Sequence, residues 1–158
     1  MTRQLLFLCT GNYYRSRFTE LLFNAQALAV ALPWRAESRG IALELGVDNR
    51  GPISAYATAG LRARGIALDP AVRYPRQVHE GDLTQAERII ALDDTEHRPL
   101  LVHRFPHWVE RVEFWHVPDF PRTPVVQALA EMDRQVCALI HTLLNDVSLS
   151  SPAKGQRR

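Results

Sequence analysis

The chain has 158 residues, of which 46% are hydrophobic and 23% charged, as is typical of one soluble globular domain with a sizeable core. No apolar run approaches the roughly 20 residues that a membrane-spanning helix needs. The sequence also lacks the pattern of a signal peptide, and its two cysteines provide no disulfide framework. We therefore expect a cytoplasmic protein without a membrane partner.

The formal net charge of +2 does not indicate a nucleic-acid partner. Three positive charges, on Lys154, Arg157 and Arg158, lie in the last five residues, and removing these three from +2 leaves −1 for the rest of the chain. The remaining basic residues are dispersed, as on an ordinary solvated surface. We expect no nucleic-acid binding and a monomer or weak dimer.

The first predicted elements surround a short loop. Residues 3–8 form an apolar run typical of a buried strand, and apolar residues recur at helical spacing from Arg15 to Leu32, before Pro33. Between strand and helix lies the segment Cys9-Thr10-Gly11-Asn12-Tyr13-Tyr14-Arg15-Ser16. The N–H groups of such a loop and of the following helix N-terminus converge on one point, which predicts an anion site. Glycine and asparagine suit the tight turn.

Three residues of this loop have the chemistry of a reaction centre. The amide donors, the helix N-terminus and a nearby guanidinium favour the thiolate form of Cys9, which is the nucleophilic form. Arg15 offers a planar fork of donors that matches two phosphoryl oxygens. Ser16 can donate its hydroxyl toward the sulfur. The alternative is a buried structural cysteine with a surface arginine, but that reading leaves the Gly-Asn turn unexplained.

Strands and helices alternate through the rest of the chain, and this predicts an α/β fold with a parallel sheet and helices on both faces. The further predicted strands are 34–39, 88–92 and 111–117. The further predicted helices are 52–65, a short turn over 82–85, a helix after Asp93 that Pro99 limits, and a long helix from Pro124 with Cys137 in its core face. We predict one four-stranded, Rossmann-like domain over residues 1–147 and a disordered basic tail over 148–158.

Asp119 lies just past the fourth predicted strand, at the same edge of the sheet as Cys9. A thiolate that attacks a phosphate ester expels an oxyanion that needs a proton, and Asp119 is the candidate donor. Desolvation by Trp115, Val117 and Phe120 would favour its protonated form. An ordinary turn aspartate fits the local sequence equally well.

The spacing Cys-x5-Arg-Ser, with Gly-Asn inside it and directly after the first strand, resembles the low-molecular-weight protein tyrosine phosphatases. The resemblance extends from Leu5 to about Leu144. It includes Ser38-Arg39-Gly40, Arg76-Gln77 with Asp82-Leu83, and the segment 91–95.

The resemblance implies a phosphatase fold and a phosphorylated protein or small aryl phosphate as substrate, with no cofactor. It implies that Cys9 is the nucleophile, Arg15 the phosphate clamp, and Asn12 and Ser16 the supports of the loop. It further implies that Asp119 is the proton donor, although the Val-Pro-Asp-Phe-Pro order displaces the proline that members carry after the aspartate. Asp93 is expected as a structural acid near the site.

The substrate pocket departs from the family pattern. Members bind the phosphotyrosine ring between aromatic walls, for which the acid loop offers Phe120 and the loop after the second strand only residues 41–43. Tyr13 and Tyr14 supply another wall or pack on neighbouring loops. Tyr14 also replaces a second cysteine that many members hold, so we expect no protective disulfide with Cys9.

Two alternatives to a tyrosine phosphatase remain from the sequence. An arsenate reductase of the same fold would relay oxidation to further cysteines, but residues 66–85 contain none. A phosphate- or phosphoprotein-binding module would keep the loop and lack turnover. The six histidines show no metal-ligand spacing, so we expect no metal site.

Overall fold

A four-stranded parallel sheet forms the centre of the protein. The computed structural model describes residues 1–150, the last of them by its backbone only. The strands are β1 (Arg3–Cys9), β2 (Trp34–Gly40), β3 (Arg88–Ala91) and β4 (Val112–Phe114), in the order β2-β1-β3-β4. All neighbouring strands are parallel. The predicted sheet is confirmed, and β1, which leads to the cysteine loop, has a partner on each side.

Helices cover both faces of the sheet, as predicted. They are α1 (Arg15–Ala29), α2 (Ala55–Arg62), α3 (Glu80–Gln85), α4 (Asp94–Arg104) and α5 (Val125–Ser150). Side chains alternate along a strand, so Leu5 and Phe7 join the core of α1, α2 and α5. Leu6 and Leu8 join the opposite core, with Leu83 of α3 and Leu101 of α4 among its members.

Four predicted helices have different ends in the structure. Helix α2 covers Ala55–Arg62 and not 52–65, because the Ser54 side chain caps it. Helix α3 begins at Glu80, two residues before the predicted turn.

Helix α1 ends at Ala29 and not at Leu32, because the chain turns through Ala31, whose φ of 52° is left-handed. Helix α4 continues past Pro99 to Arg104. Pro99 removes only one backbone donor, in the second turn, and Leu101 beyond it is fully buried and anchors the helix to the sheet.

The last strand and the last helix also differ from the prediction. β4 ends at Phe114, although the Trp115 amide still donates to the carbonyl of Ala91, the last residue of β3, and the Val117 amide to that of Leu92, both over 2.9 Å. Helix α5 includes residues 148–150, which were assigned to the tail, and residues 151–158 lie outside the described part. Cys137 is exposed and does not belong to the core. Of the helices between residues 1 and 150, none combines the length and apolarity that crossing a membrane demands.

Candidate active site

A cleft of about 230 Å³ opens over the loop between β1 and α1. Because β1 ends at Cys9 and α1 begins at Arg15, the thiol and the helix N-terminus share this cleft. Asp119 reaches it from the loop after β4. Eight of the ten predicted site residues line it: Cys9, Thr10, Gly11, Tyr13, Tyr14, Arg15, Asp119 and Phe120. The other two, Asn12 and Ser16, are fully buried.

A chain of hydrogen bonds supports the thiol from below. The Cys9 Sγ lies 2.9 Å from the Ser16 Oγ, which accepts a hydrogen bond from the Asn12 Nδ2 over 2.8 Å. Because Ser16 accepts from Asn12, its own hydroxyl hydrogen is free to point at the sulfur. Asn12 also donates to the Ser38 Oγ, and Ser38 donates to the buried Glu20 carboxylate. The chain therefore runs from the sulfur to a buried carboxylate through three polar side chains.

Asn12 adopts the left-handed conformation expected of it, with a φ of 51°. Its Oδ1 accepts hydrogen bonds from the Arg73 Nη1 and the Arg76 backbone amide, both over 3.0 Å. Gly11 beside it has little room for a side chain, because an added Cβ would lie 3.2 Å from the Asn49 Nδ2. The loop shape is thus fixed by side chains from outside the loop.

Arg15 is buried and held at two points of its guanidinium. Its Nη1 donates to the Val117 carbonyl over 2.9 Å, and its Nη2 donates to Glu96 over 2.5 Å. The same Nη2 lies 3.7 Å from the Asp119 Oδ2. Burial lowers the pKa of Arg15, but the charges of Cys9, Glu96 and Asp119 outweigh it, so that the pKa is raised. Arg15 therefore stays cationic in the cleft.

Glu96 collects three donors on one oxygen. The Thr10 hydroxyl and Arg15 donate to its Oε2, each over 2.5 Å, and the His97 Nε2 lies 3.0 Å away. The His97 Nδ1 accepts from the Asp93 amide, so its hydrogen is on Nε2 and points at Glu96. Burial raises the pKa of Glu96, but these hydrogen bonds and the Arg15 charge hold it well below its ordinary value. Glu96 is therefore ionised.

Asp119 lies at the mouth of the cleft with its side chain 51% exposed. Its Oδ1 accepts a hydrogen bond from the Phe120 amide over 2.9 Å. The three residues expected to desolvate it do not enclose it. Val117 is buried in the core, Trp115 packs against the core, and Phe120 is itself half exposed. Solvent reaches the carboxylate in this structure.

Aromatic rings form the sides of the cleft. The Tyr56 ring lies 5.7 Å from the Phe120 ring and 6.0 Å from the Tyr14 ring, centroid to centroid. The Tyr14 hydroxyl is buried without a hydrogen-bond partner, and burial raises its pKa to about 12. The Tyr13 hydroxyl donates to the Arg50 carbonyl. Both tyrosines line the cleft and pack on neighbouring segments.

The sequence did not identify Asn49, Ser54 and Tyr56 in the cleft lining, or Glu96 behind Arg15. The side chain of Tyr56 on α2 is 47% exposed, and its ring faces Phe120. Its position two residues after the cap Ser54 was the available signal. Glu96 lies shortly after β3. Because the carboxyl end of β3 adjoins that of β1, the order of elements was a signal that Glu96 lies near the cysteine loop. Ile41 and Ala42, considered as a ring wall, are fully buried.

One cleft thus contains a cysteine, an arginine and an aspartate, with a serine hydroxyl beside the sulfur. This arrangement is that of a cysteine-dependent phosphatase. Within residues 1–150, no cluster of His, Cys, Asp and Glu could hold a metal ion. The family model described as "Low molecular weight phosphotyrosine protein phosphatase" matches residues 4–149. The chain belongs to this family.

Solved structures of the family share the fold. Wzb from Vibrio vulnificus, in complex with benzylphosphonate, has 18% identity and a TM-score of 0.74, over 90% of this chain and 99% of that chain. The low molecular weight protein tyrosine phosphatase from T. tengcongensis has 25% identity and a TM-score of 0.71, over 92% and 99%. The YwlE arginine phosphatase from Geobacillus stearothermophilus has 20% identity and a TM-score of 0.75, over 95% of this chain and 98% of that chain. A sequence comparison with curated proteins gave no match.

Proposed function

We propose that this phosphatase hydrolyses phosphotyrosine or related aryl phosphate monoesters through a phosphocysteine intermediate. The observation that carries this is the meeting of Cys9, Arg15 and Asp119 in one cleft beneath aromatic rings. The ring pair of Tyr56 and Phe120 offers an aryl group apolar faces on the way to the sulfur.

In the first step the Cys9 thiolate attacks phosphorus, so that an S–P bond forms and the P–O bond to the leaving group breaks. The Ser16 hydroxyl, whose Oγ lies 2.9 Å from the Cys9 Sγ, donates to the sulfur, and the remaining Arg15 donors bind phosphoryl oxygens. Asp119 donates its proton to the leaving oxygen. The 3.7 Å distance between the Asp119 Oδ2 and the Arg15 Nη2 supports the proposal that acid and clamp act on the same phosphoryl group.

In the second step Asp119, now ionised, accepts a proton from water while the water oxygen attacks phosphorus. The P–O bond to water forms, the S–P bond breaks, and the thiolate and inorganic phosphate are released. One carboxyl group thus acts as acid and then as base. We further propose that the protein works in the cytoplasm as a monomer or weak dimer on phosphorylated proteins or small aryl phosphates.

The test is hydrolysis of p-nitrophenyl phosphate in the presence of a metal chelator. We expect turnover by the wild-type protein, none by Cys9→Ser, and wild-type turnover by Cys137→Ser, which alters the exposed thiol. Phosphotyrosine, phosphoserine, phosphoarginine and arsenate form the substrate panel. Full activity of Cys9→Ser, tight phosphate binding without any turnover, or thiol-coupled arsenate reduction would each contradict the proposal.

A further inference from the structure

Arg17, the third residue of α1, is a buried cation directly behind the phosphate loop. Its side chain is 1% exposed, and its Nη1 donates to the carbonyls of Pro52 and Arg73, both over 2.9 Å. Its Nε has no hydrogen-bond partner. A buried guanidinium with an unsatisfied donor is costly, so its retention calls for a counter-charge.

The buried carboxylate nearby is already engaged by another arginine. Glu20 is 6% exposed, and its Oε1 lies 3.3 Å from the Arg73 Nη2. Arg17 and Arg73 therefore face a single carboxylate. Farther out, Arg39 pairs with Glu37 and Asp82, and Arg76 is exposed to solvent. One positive charge in this cluster is left without a buried partner.

The position of this charge in the helix is also unusual. A helix N-terminus favours acidic side chains, yet the first turn of α1 contains none and holds Arg15 and Arg17 instead. Arg15 is paired with the ionised Glu96, so the Arg17 charge is the one that is unfavourable at this helix end unless an anion lies in front of it. The place for that anion is the loop with the Cys9 sulfur and the cleft above it.

The electrostatics of Arg17 agree with this geometry. The pKa of Arg17 is lowered to about 10, chiefly by burial and also by the charge of Arg73, while the charges of Glu20 and Cys9 act to raise it. Arg17 thus remains cationic at neutral pH and interacts with the charge at Cys9.

We propose that Arg17 is a positioning residue whose buried, uncompensated charge favours negative charge on the Cys9 sulfur and on a phosphate bound above it. The proposal builds on the proposed function, since it concerns the same loop, but it is tested without turnover. In this proposal Arg17 has two roles. Its charge acts on the sulfur, and its hydrogen bonds join the segments at Pro52 and Arg73 to α1.

The experiment measures the rate of Cys9 alkylation by iodoacetamide against pH, in a Cys137→Ser background. We expect Arg17→Met to move the midpoint of the profile upward by about half a pH unit or more, because a nearby cation is lost. Protection of Cys9 from iodoacetamide by inorganic phosphate should weaken roughly threefold or more. Arg62→Met, which removes an exposed cation from α2, should leave both unchanged.

Arg17→Lys separates charge from structure. It keeps the cation and loses the guanidinium geometry, so we expect a lowered melting temperature but a profile near that of the wild type. If Arg17→Met does not fold, Glu20→Gln provides the second measurement. It removes the buried carboxylate beside Arg17 and Arg73 and should move the profile to lower pH.

A folded Arg17→Met with the wild-type profile, equal shifts in Arg17→Met and Arg17→Lys, or no downward shift in Glu20→Gln would overturn the proposal. If the alkylation profiles shift as expected but no ester is hydrolysed, only the proposed function is contradicted. Hydrolysis without the shifts would contradict the role of Arg17 alone.

Discussion

The Glu96 Oε2 lies 2.5 Å from the Arg15 Nη2, and this ion pair fixes the orientation of the guanidinium that we propose as the phosphate clamp. The other end of the guanidinium is held by the Val117 carbonyl, so two terminal nitrogens define its plane. A clamp oriented in advance loses little freedom when it binds a phosphoryl group. Glu96 is therefore as important to the geometry of the cleft as the residues that face it.

Glu96→Gln should destabilise the protein at pH 7 by roughly 1–3 kcal/mol, because Arg15 and His97 lose an ionised acceptor. The pKa of Glu96 is lowered in the folded state, so its stabilisation is present above its ordinary pKa of 4.5 and is lost as pH falls toward the folded value. Urea unfolding at pH 7 and at about pH 4 and below measures this.

The gap in stability between wild type and Glu96→Gln should shrink in acid. Glu110→Gln, at an exposed position, serves as the matched control and should differ little from the wild type at either pH. A gap that is independent of pH would show that Glu96 acts by packing and not by its charge.

Asp119→Asn should lower kcat by about 10²-fold or more, because the leaving oxygen loses its proton donor. The loss should be greater for phenyl phosphate than for p-nitrophenyl phosphate, whose leaving group needs less protonation. Steady-state kinetics with both esters measures the difference. Asp69→Asn, on an exposed loop, is the control, and an equal loss for both esters would argue against proton donation.

Tyr56→Ala should lower kcat/KM for phosphotyrosine roughly three- to tenfold, because one face of the aromatic cleft is lost. Phosphoserine has no ring to place there, so its kcat/KM should not change. The control is Tyr74→Ala, a tyrosine that is 67% exposed outside the cleft. A uniform loss on both substrates would mean that Tyr56 supports the loop and not the ring.

Peroxide should inactivate the protein without forming an internal disulfide. Cys9 is buried at the loop, Cys137 is exposed on α5, and Tyr14 occupies the position where many members carry a second thiol. Oxidation of Cys9 should therefore proceed from sulfenic toward sulfinic acid. Peptide mass spectrometry after peroxide checks this, and a peptide linking Cys9 to Cys137 would refute it.

The sequence predicted the sheet and the loop because both leave local patterns. Short apolar segments that alternate along the chain with segments of helical periodicity indicate a parallel sheet. The order of residues from Cys9 to Ser16 indicates the loop between β1 and α1. Tyr56 and Glu96 were missed because the cleft wall and the arginine anchor depend on how separate helices pack, which no local pattern records. The predicted helix end at Pro99 was wrong because the burial of Leu101 stabilises the helix by more than one lost hydrogen bond costs.

The strand that carries the sulfur should be locally more stable than the aromatic walls of the cleft, because β1 lies inside the sheet. Residues Leu5–Leu8 are bonded to strands on both sides and fully or nearly fully buried. Their amides should be among the slowest in the chain to exchange with deuterium. Tyr56 and Phe120, by contrast, lie half exposed on a short helix and a loop. The aromatic walls can therefore open and reclose in local fluctuations while the strand that carries the sulfur stays intact.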